Sequence, residues 1–256
     1  MASTPAVAWA DDLDFQISID GYDLLPTTDN SATATSGVGD FAIAWGDGAD
    51  ANATGGFGDF AFADGAGSDA TTFLNTSGNF DAAIANGEAS YALADDGDFN
   101  VASAFGEFSN AQAGGIFGTP SSFDMASSSG PDSFAFAAYG NGDTALDVDP
   151  SDSVVNNTGS SAYAEGTSDF SSTFGDSSTA FAGGNNDIAA VFGTGDHADS
   201  GEPGNYDFAA IFDNNAYAET ATNGNDLYDI VTALGNESGT AAATSGGWLA
   251  ELLSLF

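Results

Sequence analysis

The chain has 256 residues and not one is lysine or arginine, against 38 aspartates and glutamates. That absence excludes ordinary Lys or Arg salt bridges, the guanidinium fork that grips carboxylate or phosphate, and the Schiff-base lysine. Nearly all nucleic-acid binding is excluded on the same ground, since it rests on neutralising phosphates with cationic side chains, and no nucleic-acid partner is expected. Cysteine is also absent, so neither disulfides nor Cys-ligated zinc or redox centres can form. No stretch reaches the ~18 consecutive apolar residues of a membrane-spanning helix. Only seven of the acids are Glu, and with Lys missing the usual solvent-facing helix formers are scarce.

What remains is acidic yet not disorder-like. A formal charge of −38 favours an expanded chain, but hydrophobic residues make up 42% of the sequence, with 21 Phe and 7 Tyr. Ala and Phe dominate the apolar positions, which suits a narrow layered core. Asp, Asn, Gly, Ser and Thr dominate the polar ones, and these are turn residues. The composition predicts an all-β, turn-dense fold.

An internal repeat organises the chain. Gly39-Asp40-Phe41-Ala42-Ile43-Ala44 recurs as Gly58-Asp59-Phe60-Ala61-Phe62-Ala63, as Gly78-Asn79-Phe80-Asp81-Ala82-Ala83 and as Gly97-Asp98-Phe99-Asn100-Val101-Ala102. Phe41, Phe60, Phe80 and Phe99 read as anchors, continued through Phe117 and Phe134 and then by Phe170, Ile188, Phe208 and Leu227. A second marker, Ala162, Ala180, Ala198 and Ala216, lies between them. Two short alternating arms per repeat cannot bury enough surface alone, so copies must stack ~4.8 Å apart. The expectation is a β-solenoid or β-roll of about ten coils of 18–20 residues, its inward columns holding Phe, Ile, Leu and Ala. A propeller blade would need about twice the repeat length. Gly density and period-2 alternation speak against helical repeats.

The expected organisation has four parts. Residues 1–10 read as the remnant of a signal or processing segment, because Ala8-Trp9-Ala10 before Asp11-Asp12 resembles a cleavage site. The basic and long apolar regions of a signal peptide are missing upstream, so a trimmed start and a secreted or cell-envelope location are expected. Residues 11–35 form a cap, with Leu13, Phe15, Ile17 and Ile19 alternating along one strand. Residues 36–235 hold the coils, irregular over 118–161, where Pro120, Ser127-Ser128-Ser129-Gly130-Pro131 and Pro150 break the pattern. Residues 236–256 form a linker and a short amphipathic helix. Trp248, Leu249, Leu252, Leu253 and Phe256 share one face of it, able to cap the last coil or to dock on a protein or envelope partner. A homo-oligomer is compatible with all of this.

Chemistry-bearing constellations are few. His197 lies in Asp196-His197-Ala198-Asp199, but one histidine makes neither a transition-metal site nor, amid so many Ser and Asp, an informative triad. A carboxylate pair for glycoside hydrolysis is trivially available and therefore uninformative. Solenoid polysaccharide lyases rely on a basic residue that this chain lacks. Gly55-Gly56-Phe57-Gly58 is followed by no lysine and is not a phosphate loop. Calcium is the one serious cofactor candidate. Asp40, Asp59, Asp98, Asp169, Asp187, Asp207 and Asp226, with Asn79, could line one turn as a ladder. Turn capping by the same side chains is the competing reading. The expected function is that of a non-enzymatic secreted or surface structural and interaction protein without a cofactor. A calcium-dependent binding module is the alternative.

The G-(D/N)-F-x-x-A and A-x-A-x-G elements, roughly Gly37 to Gly235, resemble the coil repeats of trimeric autotransporter adhesin heads, whose short strands stack into a β-roll. The coiled-coil stalk and membrane anchor of that family have no counterpart here. The composition also resembles the Gly/Asn/Ala-rich secreted pseudo-repeat proteins of mycobacteria. The first resemblance implies a β-roll and an adhesin-like role, the second an extracytoplasmic location.

Overall fold

Alternating short arms bounded by Gly, Asn and Asp become two facing parallel sheets. The computed structural model describes residues 14–25, 30–72, 78–115, 121–149, 159–201, 205–220, 230–235 and 240–242. These residues are all-β, wound as a β-solenoid. Odd and even strands of successive coils separate into one sheet of 12 strands and another of 11. Each coil runs along a first-sheet strand such as Phe41–Trp45, turns, returns along a second-sheet strand such as Asp50–Ala53, and turns again. Copies pair in register: Phe41 with Phe60, Ala42 with Ala61 and Ala44 with Ala63 in the first sheet, Ala51 with Ala70 in the second.

The lumen is built from alanine. Ala42, Ala44, Ala61, Ala63, Ala83, Ala85, Ala102 and Ala104 of the first sheet face Ala51, Ala53, Ala70, Ala92, Ala94, Ala111 and Ala113 of the second, all essentially inaccessible. The expected inward Phe columns are corrected here. Phe41, Phe60 and Phe170 stand at outward positions of their strands, as do Ile43, Phe62 and Ile188. Two sheets joined by short turns leave a thin layer that alanine fills over most of its length, with Val191, Ile211 and Val231 inward in the later coils, and a Phe ring would overfill it.

The first connecting turn explains its glycines. In Gly65-Ala66-Gly67-Ser68 the Ser68 hydroxyl donates to the Gly65 carbonyl at 2.9 Å. Ser90 to Gly87 and Ser109 to Gly106 repeat the bond at 3.1 and 3.2 Å. Gly65, Gly87 and Gly106 sit at φ of +127, +140 and +134°, and a Cβ on Gly87 would overlap the Gly106 carbonyl of the next coil. Only glycine stacks on itself there.

The cap strand is Phe15–Ile19, antiparallel to Phe41–Trp45. Its polarity inverts the usual choice. Gln16 and Ser18 face the lumen, where Gln16 Oε1 accepts the Ala34 N–H at 2.9 Å and the Ser18 and Ser36 hydroxyls bond at 2.8 Å. Phe15, Ile17 and Ile19 face outward. Within 118–161, where irregularity was expected, strands Met125–Ser129, Phe134–Asn141 and Thr144–Val148 continue both ladders, with one register shift between Ala138 and Asn141. Coil length is more variable than the expected 18–20 residues: successive rungs of the turn described below lie 18 to 26 residues apart. Leu13, Phe117, Leu227 and the amphipathic segment Trp248–Phe256 lie outside the described residues, as does the remnant segment 1–10.

Candidate functional site

The residue entering each first-sheet strand is an aspartate or asparagine, and these residues stack into one column. It runs Asp40, Asp59, Asp81, Asn100, Asp124, Asp143, Asp169, Asp187, Asp207, each at most 2% exposed. From Asp40 to Asp187 each Oδ1 accepts the backbone N–H of the next rung: the Asp59 N–H bonds Asp40 at 3.0 Å, the Asp81 N–H bonds Asp59 at 3.1 Å and the Asn100 N–H bonds Asp81 at 2.8 Å. The pattern continues unbroken to the bond from Asp207 N–H to Asp187 at 2.9 Å. A parallel sheet leaves these N–H groups at the strand entrance without a ladder partner, and the carboxylate of the preceding coil supplies one.

Burial sets the ionisation. It pushes Asp59, Asp124 and Asp169 up to about 6, Asp187 up to about 7 and Asp81 up to about 8, opposed by the N–H bonds that each accepts. Adjacent carboxylates push several of them further: Asp59 acts on Asp81, and Asp169 and Asp207 act on Asp187. The second oxygens of Asp40, Asp59, Asp81, Asp169 and Asp187 are buried without a hydrogen-bond partner. At Asp124 the Ser121 hydroxyl fills that role at 2.5 Å.

Of the calcium candidates, Asp40, Asp59, Asp169, Asp187 and Asp207 do come together in this column. Asp98 does not. It is exposed on the outside of the turn, accepts the Asn79 side-chain amide at 2.7 Å, and Asn100 takes the rung. Asn79 likewise gives way to Asp81. Asp226 lies outside the described residues. Equal spacing of the Phe anchors caused the slip: a coil of 22 residues separates Asp59 from Asp81, so counting about 20 lands two residues early. The inward Ala-x-Ala pairs, Ala61/Ala63 and Ala83/Ala85, carry the true frame. Ala216 slips in the same way, since Ala198 pairs with Ala218. Chemically the column offers N–H donors along its length, which suit carboxylates and oppose a cation. Among the described residues no three His, Cys, Asp or Glu side chains are grouped to hold a metal.

Polar side chains also enter the lumen midway. Ser128, Asp147, Ser171 and Thr173 replace alanine and are buried. Ser171 donates to the Ala180 carbonyl and Thr173 to the Ser161 carbonyl, each at 2.8 Å, and the Phe134 N–H donates to Asp147 Oδ2 at 2.9 Å. Burial pushes Asp147 up to about 7, against the Ser160 hydroxyl and the Phe134 N–H.

His197 sits elsewhere, on the outer face of the second sheet. Strand alternation splits its acidic neighbours: Asp196 caps a turn, accepting the Ala216 N–H at 2.7 Å, while Asp199 shares the His197 face. The two line a shallow open depression of about 400 Å³ with Tyr163, Glu165, Thr179 and Phe181. Burial raises the Asp199 pKa, the His197 ring lowers it, and Glu219 raises it. His197 stacks on Tyr217 with centroids 5.0 Å apart. No nucleophile is aligned with the imidazole by any hydrogen bond among the described residues, so the geometry assembles no triad.

An aromatic ridge runs along the corner beside the aspartate column. Phe80 and Phe99 stack at 5.1 Å and Phe99 and Phe123 at 5.2 Å, with Phe57 edge-on to Phe80 at 6.1 Å. Phe80, Phe99 and Phe123 hold φ of +61, +64 and +65°, a left-handed conformation costing about 1–2 kcal/mol for an L-residue. Ring stacking, about 0.5–1.5 kcal/mol per pair, offsets part of that. Phe80 and Phe99 are among the residues that the repeat singles out as core anchors, and they stand exposed instead. No protein-family model, curated protein or solved structure matches this chain.

Proposed function

We propose that the chain is a non-enzymatic structural and interaction protein of the cell surface or exterior, a stiff acidic rod that presents its faces to partners. The observation that carries this reading is the unbroken stack. Alanine columns fill most of the lumen, and the carboxyls of the aspartate column are engaged by backbone N–H groups from coil to coil. Groups held in that way stabilise turns and are closed to substrate. The cleavage-like Ala8-Trp9-Ala10 supports an extracytoplasmic role.

Two measurements test this. Purified chain incubated with polysaccharide and ester panels should turn nothing over. Intact producing cells treated with proteinase K should lose the protein while a cytoplasmic marker survives. Turnover abolished by Asp199→Asn, or complete protection in intact cells, would refute the proposal.

A further inference from the structure

The outer face of the first sheet is as apolar as the rest of the chain is acidic. Its entrance column includes Phe41, Phe60, Phe170, Ile188 and Ile230, and its exit column Trp45, Phe105, Phe174, Phe192 and Phe212. Between them run residues such as Ile43, Phe62, Ile84, Ser103, Ser127 and Leu146. Over the first, third and fifth positions of the described strands from Phe41 to Thr232, Asp64 is the one charged residue, in a chain of net charge −38. Large side chains stand open to solvent there, Trp45 at 54% and Phe212 at 50%.

The cap strand makes the same choice. Its alternation could place Phe15, Ile17 and Ile19 in the lumen, yet Gln16 and Ser18 go in and the three apolar residues extend the outer face by one more strand. The aromatic ridge of Phe57, Phe80, Phe99 and Phe123 borders it. Contiguous apolar surface of this extent marks an interaction site.

We infer that this face is the seat of a homodimer, two copies packing first sheet against first sheet. Size is one reason. Ten parallel strands spaced ~4.8 Å apart and about five residues long give roughly 48 by 17 Å. That is about 800 Å² per copy, the footprint of a standard stable interface. Charge is the second. Two copies of a chain this acidic repel at every acidic face, and the uncharged first sheet is where they can approach closely. Regular register is the third, because aligned sheet-on-sheet packing needs two regular faces and a twofold axis makes one face serve both copies. The inference does not depend on the scaffold reading. An enzyme or a cytoplasmic protein could dimerise in this way, and the tests of the two are separate.

Sedimentation velocity of the full-length chain at 1–100 µM in 0.5 M NaCl should give a species of twice 25.5 kDa. Phe174→Glu with Phe192→Glu places like charges across the interface, and should weaken association at least tenfold with an unchanged circular dichroism spectrum. Ser103→Glu with Ser127→Glu, at the centre of the face, serves if the first variant misfolds. Gln112→Glu, on the outer face of the second sheet, should leave the dimer intact. A wild-type chain that stays monomeric over the whole range would overturn the inference. So would a dimer that survives both face variants, or a monomer that floats with zwitterionic vesicles and loses them in the face variants, which would make the occupant lipid.

Discussion

Asn100 donates from its side-chain amide to the Ser121 carbonyl of the next coil at 3.0 Å, while its own Oδ1 accepts the Asp124 N–H at 3.2 Å. It is the one neutral rung of the column, and its second polar atom has a partner. At the neighbouring rung Asp81 Oδ2 has none, although the Gly97 carbonyl stands beside the same Gly78 Cα that faces it. A carboxylate cannot donate to that carbonyl. A protonated carboxyl or an amide can.

Stability should therefore fall as pH rises from about 4 to about 8. Folded values of about 6 to about 8 lie above the ~3.9 of an unfolded aspartate, so in that window the folded chain holds more protons than the unfolded one. The contribution is complete below the unfolded value and is lost as pH climbs through the folded ones. Melting curves at fixed ionic strength should show Tm highest near pH 4 and level above 8. A Tm that climbs with pH would mean that the rungs are ionised throughout.

Asp81→Asn should copy the Asn100 rung. At pH 8 it is expected to stabilise by about 1 kcal/mol, roughly 2–4 °C in Tm for a chain of this size. At pH 4 the gain should vanish. Equal gains at both pH values would point to a cause other than the rung's proton.

The narrow lumen makes neighbouring positions respond oppositely. Ala85 is inward and fully buried, so Ala85→Leu should overpack and cost about 1–3 kcal/mol. Ser103 is outward on the adjacent strand, and Ser103→Leu should not destabilise the fold. Urea unfolding of the two variants checks this, and similar losses in both would contradict the assigned faces.

Calcium should leave the fold unmoved. Each rung's Oδ1 is taken by an N–H, and a cation would have to displace those bonds along a buried column. Melting in calcium and in chelator, matched for ionic strength, should coincide. A rise of several degrees that Asp59→Asn and Asp187→Asn remove would restore the binding-module alternative.

Much of this was legible in the residues. A chain with no Lys or Arg must satisfy its carboxyls from the backbone and from neutral polar side chains. Short alternating arms repeated along the sequence have no stable state except stacked on their own copies, so the solenoid and its cap strand follow from pattern. Which side of each ribbon is inside did not follow. Alternation has period two, and a frame in which Phe41 points in is as regular as one in which Ala42 does. The tertiary structure decides between them because two sheets joined by tight turns lie too close for rings, which makes alanine the main core residue, admits Val191, Ile211 and Val231 in the later coils, and sends Phe41, Phe60 and Trp45 outside. Coil length was hidden for a related reason. Extra residues accumulate in turns, where they disturb no pairing, so even spacing of Phe60 and Phe80 reads as register although Phe60 pairs with Ala82. Local composition dictated that copies stack; only the packed lumen could say which atoms meet.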